Sequence, residues 1–103
     1  MKNCHYELKD YQELQNNEKT ALSMLKKHSN DGFEFILHNI YDQLRGFDSR
    51  LAERLLDRFK SYQIRFAMEN DESVFEEASG SLLEMLNPLY HNMIVDLNEH
   101  NGY

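Results

Sequence analysis

The sequence predicts an all-α fold, an antiparallel four-helix bundle, and three observations carry that prediction. Only four Gly and one Pro occur in 103 residues, too few for a fold made of many turns. Apolar residues recur at helical spacing in four blocks, with no alternating stretch longer than a few residues to compete as a strand. The apolar content of 41%, with six Phe and six Tyr, is that of a chain that folds around a core rather than one that stays disordered. At this length one domain spanning 1–103 is expected.

The first helix is expected over about 6–28. Leu8, Tyr11, Leu14, Ala21, Leu22 and Leu25 fall on one side of the wheel, Gln15 and Glu18 interrupt that side, and Asn16 and Asn17 mark a point where the helix could break. The run Ser29, Asn30, Asp31, Gly32 reads as a turn. A second helix follows over 32–45, with Phe33, Ile36, Leu37, Ile40, Tyr41 and Leu44 inward. Gly46 is placed to end it in the left-handed conformation, and Asp48 or Ser49 to cap the next by accepting a free backbone N–H.

The third helix is expected over 49–69, with Leu51, Ala52, Leu55, Leu56, Phe59, Tyr62 and Phe66 on one arc, until Asn70 and Asp71 break it. Ser73 and Glu76 have the spacing of a capping box, and Val74, Phe75, Ala78, Leu82, Met85 and Leu86 continue a fourth helix over 73–98. Pro88 lacks the N–H that an interior helical bond needs, so this helix is expected to kink or to restart from Asn87. The core should contain Ile36, Ile40, Leu44, Leu55, Phe59, Phe66, Phe75, Leu82 and Leu86.

Charge is the feature that bears most on function. The chain carries a formal charge of −7. Residues 71–103 hold seven acids and no Lys or Arg, so the excess lies after Arg65. An acidic face of this kind steers and docks a basic protein partner, such as a toxin or nuclease; on an acidic protein it can equally be a solvated face. Arg50, Arg54, Arg58 and Arg65 fall within a quarter of the wheel on the third helix. Four arginines with Asp57 among them make a poor nucleic-acid footprint at a pI near 5.1. They are expected to pair instead with acids such as Glu72, Glu76 or Asp48.

Phe35 projects away from the stripe of its helix, amid His38, Asn39 and Asp42. A rigid aromatic among polar groups suits a binding hot spot, unless the N-terminal segment folds over it. Ile64 and Val95 also point off their stripes, which suits a homodimer face. The candidate partner-binding residues are therefore Phe35, His38, Asp42, Glu76, Glu77 and Glu84.

No catalytic, metal or cofactor site is expected. The five histidines, at 5, 28, 38, 91 and 100, form only the two-ligand pairs His38 with Asp42 and Asp96 with His100, without the Glu-x-x-His or His-Glu-x-x-His spacing of metal sites in helices. Cys4 and His5 are adjacent near a terminus that frays, which cannot hold a nucleophile against its base. Glu77 and Glu84 face outward, where water keeps both ionised. A lone cysteine and the absence of any signal-like or membrane-length apolar run suit a cytoplasmic protein without a membrane span. The function expected is thus non-enzymatic: a stoichiometric inhibitor or neutraliser of the immunity or antitoxin class, or else a regulatory adaptor or secretion-chaperone-like bundle.

Overall fold

The computed structural model describes residues 6–100, without the side chain of His100. It is all-α: α1 (Leu8–Lys26), α2 (Asp31–Phe35), a π-helical turn (Ile36–Ile40), α3 (Tyr41–Phe47), α4 (Ser49–Glu69) and α5 (Ser73–His100). The α2, π and α3 segments follow one another without a gap, so there are four helical stretches, and no strand occurs among the described residues. The stretch 31–47 packs on α1 and α4, and α5 packs on the same two helices. The α5 helix, 28 residues or roughly 42 Å long, sets the long axis of a body measuring 50 × 26 × 18 Å.

Each helix ends for a local reason. At the close of α1, His28 takes the left-handed conformation (φ 56°), its N–H bonds the Leu25 carbonyl and the Ser29 N–H bonds that of Met24. Those bonds satisfy carbonyls that the ending helix leaves free. Gly32 then lies so close to α1 that a Cβ there would stand 2.9 Å from Leu25 Cδ2. The Asp48 carboxylate accepts from the Leu51 N–H at 3.1 Å and caps α4, as the sequence suggests. At its far end α4 stops on Asn70 in the left-handed conformation (φ 54°).

Four local expectations are corrected. Asn16 and Asn17 do not break α1, and the Asn17 amide donates to Gln43 Oε1 at 3.0 Å, tying α1 to α3. Gly46 does not adopt the left-handed conformation, because the helix runs on to Phe47 and Asp48 turns the chain in extended geometry. The Ser73 hydroxyl donates to Asp71 Oδ1 at 2.7 Å rather than forming a capping box with Glu76. The α5 helix runs through Pro88 without a restart, so Asn87 lies inside it and caps nothing.

The core is one contiguous cluster fed by all four stretches. Eight of the nine expected core side chains are buried in it, and Phe66 is half-buried at its edge. At one end, Phe75 stacks on Phe33 (centroids 5.1 Å) and on His28 (5.0 Å) and takes the edge-to-face contact of Phe66 (4.8 Å). Aromatic packing of this geometry adds to the hydrophobic gain. The first turn of α5 is thereby fixed to α1, α2 and α4 together.

Candidate functional site

The residues picked out from the sequence do not meet at one place. Phe35 is half-buried and packs against the edge of the core, which leaves part of its ring at the surface. His38 and Asp42 are exposed beside a groove of about 600 Å³ between the 31–47 stretch and α4, which Tyr41 and Lys60 also line. There His38 Nε2 lies 3.2 Å from Glu34, whose second oxygen accepts from Gln63 at 2.6 Å. These two bonds hold the Glu34 carboxyl below its usual range, Gln63 contributing most.

Glu76, Glu77 and Glu84 lie across the core on α5, and their surroundings differ. Glu77 is engaged: its Oε2 accepts from Arg65 at 2.6 Å, and Arg65 also reaches Asp71 at 3.5 Å and lies over the Tyr62 ring at 5.8 Å. Asp71 and Glu77 are thus the acids that pair with the arginine stripe, in place of Glu72, Glu76 or Asp48. The Glu72 carboxylate instead meets His28 Nδ1 at 2.7 Å. Glu76 opens onto a groove of about 520 Å³ between α1 and the start of α5. Glu84 borders two grooves, one shared with Arg50 and Arg54 of α4 and one shared with Glu18 of α1. Among the described residues, no Lys or Arg lies within ion-pairing distance of Glu76 or Glu84.

Two polar clusters were not expected. Ser81, buried on α5, accepts from Arg58 at 3.5 Å and shares a 2.6 Å hydrogen bond with the Tyr62 hydroxyl. Glu18, on the apolar side of α1, faces Tyr90 of α5. Burial pushes the Glu18 carboxyl above its ordinary value of 4.5, and the Tyr90 hydroxyl offsets part of that shift. The same desolvation, with the Glu18 charge, raises the Tyr90 hydroxyl. The phenol oxygen is closed to solvent and makes no hydrogen bond of full geometry, so the two groups interact at longer range. The sequence signals were a glutamate breaking the α1 stripe and a serine on the apolar arc of α5.

Among the described residues, no group of three His, Cys, Asp or Glu side chains stands close enough to hold a metal ion, and no helix is long and apolar enough to cross a membrane. Cys4 and His5 lie outside the described residues, as does the His100 side chain that would pair with Asp96. Comparison with protein-family models, curated proteins and solved structures matches this chain to none of them. The surface itself therefore carries the functional reading. The outer face of α5 carries the acids Glu76 and Glu84 together with the exposed apolar side chains Leu83, Ile94 and Val95.

Proposed function

We propose that this chain is a non-catalytic protein-binding module, a stoichiometric inhibitor or neutraliser of a basic partner in the manner of immunity proteins and antitoxins. It acts in the cytoplasm as an antiparallel four-helix bundle whose fourth helix bends at Pro88. The pairings that support this arrangement descend α5 as they climb α1: Tyr6 with Asp96, Tyr11 with Tyr90, His28 with Glu72. One observation carries the functional reading. The outer face of α5 holds two carboxylates, Glu76 and Glu84, that no Lys or Arg of the described residues pairs with, set among exposed apolar side chains. Unpaired charge on a surface accelerates encounter with the opposite charge, and the apolar residues beside it supply contact once the partner has docked.

The test is kinetic. The protein that co-purifies with a tagged copy of the chain from its native host is isolated, and its association rate is followed at several salt concentrations. Replacing Glu76 and Glu84 by Lys should slow association by roughly tenfold at low salt and leave it little changed at high salt, where screening removes the attraction. Association that ignores both salt and the charge reversals refutes the reading.

A second reading, an adaptor or secretion-chaperone-like bundle that works as a dimer, draws on Ile64 and Met68. They are 60% and 79% exposed, one turn apart on α4. Sedimentation separates the two: a dimer broken by Ile64→Ser with Met68→Ser favours the adaptor.

A further inference from the structure

The seam where α1 meets α5 around Tyr90 has features of a docking groove that the acidity of α5 does not account for. Two grooves, of about 420 and 560 Å³, lie on either side of Tyr90 and share Tyr90 and Asn87 in their walls, so they follow one another along the seam. Leu83 stands toward one end, 47% exposed, and Ile94 toward the other, 43% exposed. Eleven residues separate them, about 16 Å along α5 and within roughly 20° of the same direction around it, since three full turns take close to eleven residues. Between them lie Glu18 and Glu84. No Lys or Arg lines either groove.

Glu18 is the decisive group. A carboxylate on a solvated face gains little from one more cation, because water already stabilises it. A carboxylate drawn partly into the apolar seam has given up part of its hydration and recovers it only from a positive group brought against it. Among the described residues, no Lys or Arg lies within ion-pairing distance of Glu18. The phenol of Tyr90 is its neighbour but supplies no charge.

We infer that this seam receives a basic, amphipathic segment of the partner protein, which seats one cationic side chain beside Glu18 and Glu84 and rests apolar side chains on Leu83 and Ile94. The segment spans about three helical turns, and its apolar residues repeat at the matching eleven-residue interval. A second copy of this chain is a poor occupant, because each copy carries a net charge of −7. This inference rests on the reading of a basic partner given above and narrows it to one surface and one kind of ligand.

A synthetic peptide tests it without the natural partner. A fourteen-residue helical peptide, with leucines eleven apart and arginines between them, is titrated into the ¹⁵N-labelled full chain, beside a peptide in which Gln replaces each Arg. Amide shifts are expected to centre on Gln15, Glu18, Leu83, Asn87, Tyr90 and Ile94. The Gln peptide should bind at least about tenfold more weakly, the loss expected when a charged hydrogen bond is removed. Glu18→Gln and Leu83→Ser should each weaken the Arg peptide by a similar factor, and because Leu83 is exposed, the second variant tests the seam with little disturbance of the fold.

Shifts centred on Ile64 and Met68, no binding at millimolar peptide, or equal affinity for the two peptides would each overturn the inference, as would a dimer that hides the seam. None of these outcomes touches the salt dependence of association with the natural partner, so the broader reading stands or falls separately.

Discussion

Replacing Phe75 by Ala is the sharpest test of how this molecule is held together. The side chain is 1% exposed and contacts three rings, from α1's cap, α2 and α4. Truncating a buried Phe to Ala costs about 3–5 kcal/mol from lost transfer free energy and the cavity left behind. Each well-oriented aromatic pair adds roughly 0.5–1.5 kcal/mol beyond burial, which places Phe75 at or above the top of that range. Phe59, buried equally but with Tyr62 as its single ring neighbour among the described residues, is the internal control and belongs nearer the bottom. Urea denaturation followed by circular dichroism measures both. With a slope of about 1–3 kcal/mol per molar, a loss near 5 kcal/mol lowers the midpoint by about 2 M or more. A domain whose stability lies at the low end of the usual ~5–15 kcal/mol would be largely unfolded by that change. Phe75→Leu, which leaves a smaller cavity, then carries the comparison against Phe59→Leu. A midpoint lowered less by the Phe75 change than by the Phe59 change would refute the view that the aromatic cluster fastens α5 to the other helices.

Two further outcomes test individual groups. Asn70→Ala should destabilise by up to roughly 1–2 kcal/mol, because Ala meets the Cβ strain of the left-handed conformation found there without the local hydrogen bonding that lets Asn tolerate it, while Asn70→Gly should be neutral or better; equal melting temperatures for the Ala and Gly variants would contradict this. Glu18 has a folded pKa above its ordinary 4.5, so its protonated form is favoured on folding. Its contribution to stability is therefore complete below 4.5 and is lost as pH rises through the folded value. Glu18→Gln should remove that decline and melt higher than the parent at pH 7. An unchanged difference between the two proteins from pH 4 to 8 would show that the carboxyl is not desolvated.

The all-α fold was legible because helix-period patterns are long and redundant here. Phe59 and Leu55 each recur in step with several neighbours, and a single polar interruption such as Glu18 does not hide the stripe. The termini were less legible, because caps are chosen by competition among nearby polar groups. Asp48 capped as the sequence suggests, but Ser73 met Asp71 two residues upstream before it could reach forward to Glu76. The partial burial of Phe35 was not legible for a different reason: a helical wheel cannot anticipate how closely neighbouring elements approach a residue that lies off the main stripe. On the acidic surface, the sequence located the charge but not its partners. That Glu77 is held by Arg65 while Glu76 and Glu84 are not depends on the relative rotation of α4 and α5, which no local pattern encodes.

The π turn also bears on what lengths of chain this fold accepts. Between Ile36 and Ile40 the helix carries one residue more than an α-turn needs, with the Tyr41 N–H reaching back five residues to the Ile36 carbonyl. Deleting a residue from an ordinary helix rotates everything beyond it by about 100° and turns its apolar side to water. Here the wide turn takes up the surplus residue within Ile36–Ile40, and Ile36, Leu37 and Ile40 inside it are all buried. Loss of His38 or Asn39, both exposed, would convert the wide turn into a regular one and leave the helices on either side in phase. Deletion of His38 is accordingly expected to lower the melting temperature less than deletion of a residue from the middle of α4, and thermal melting of the two variants checks it.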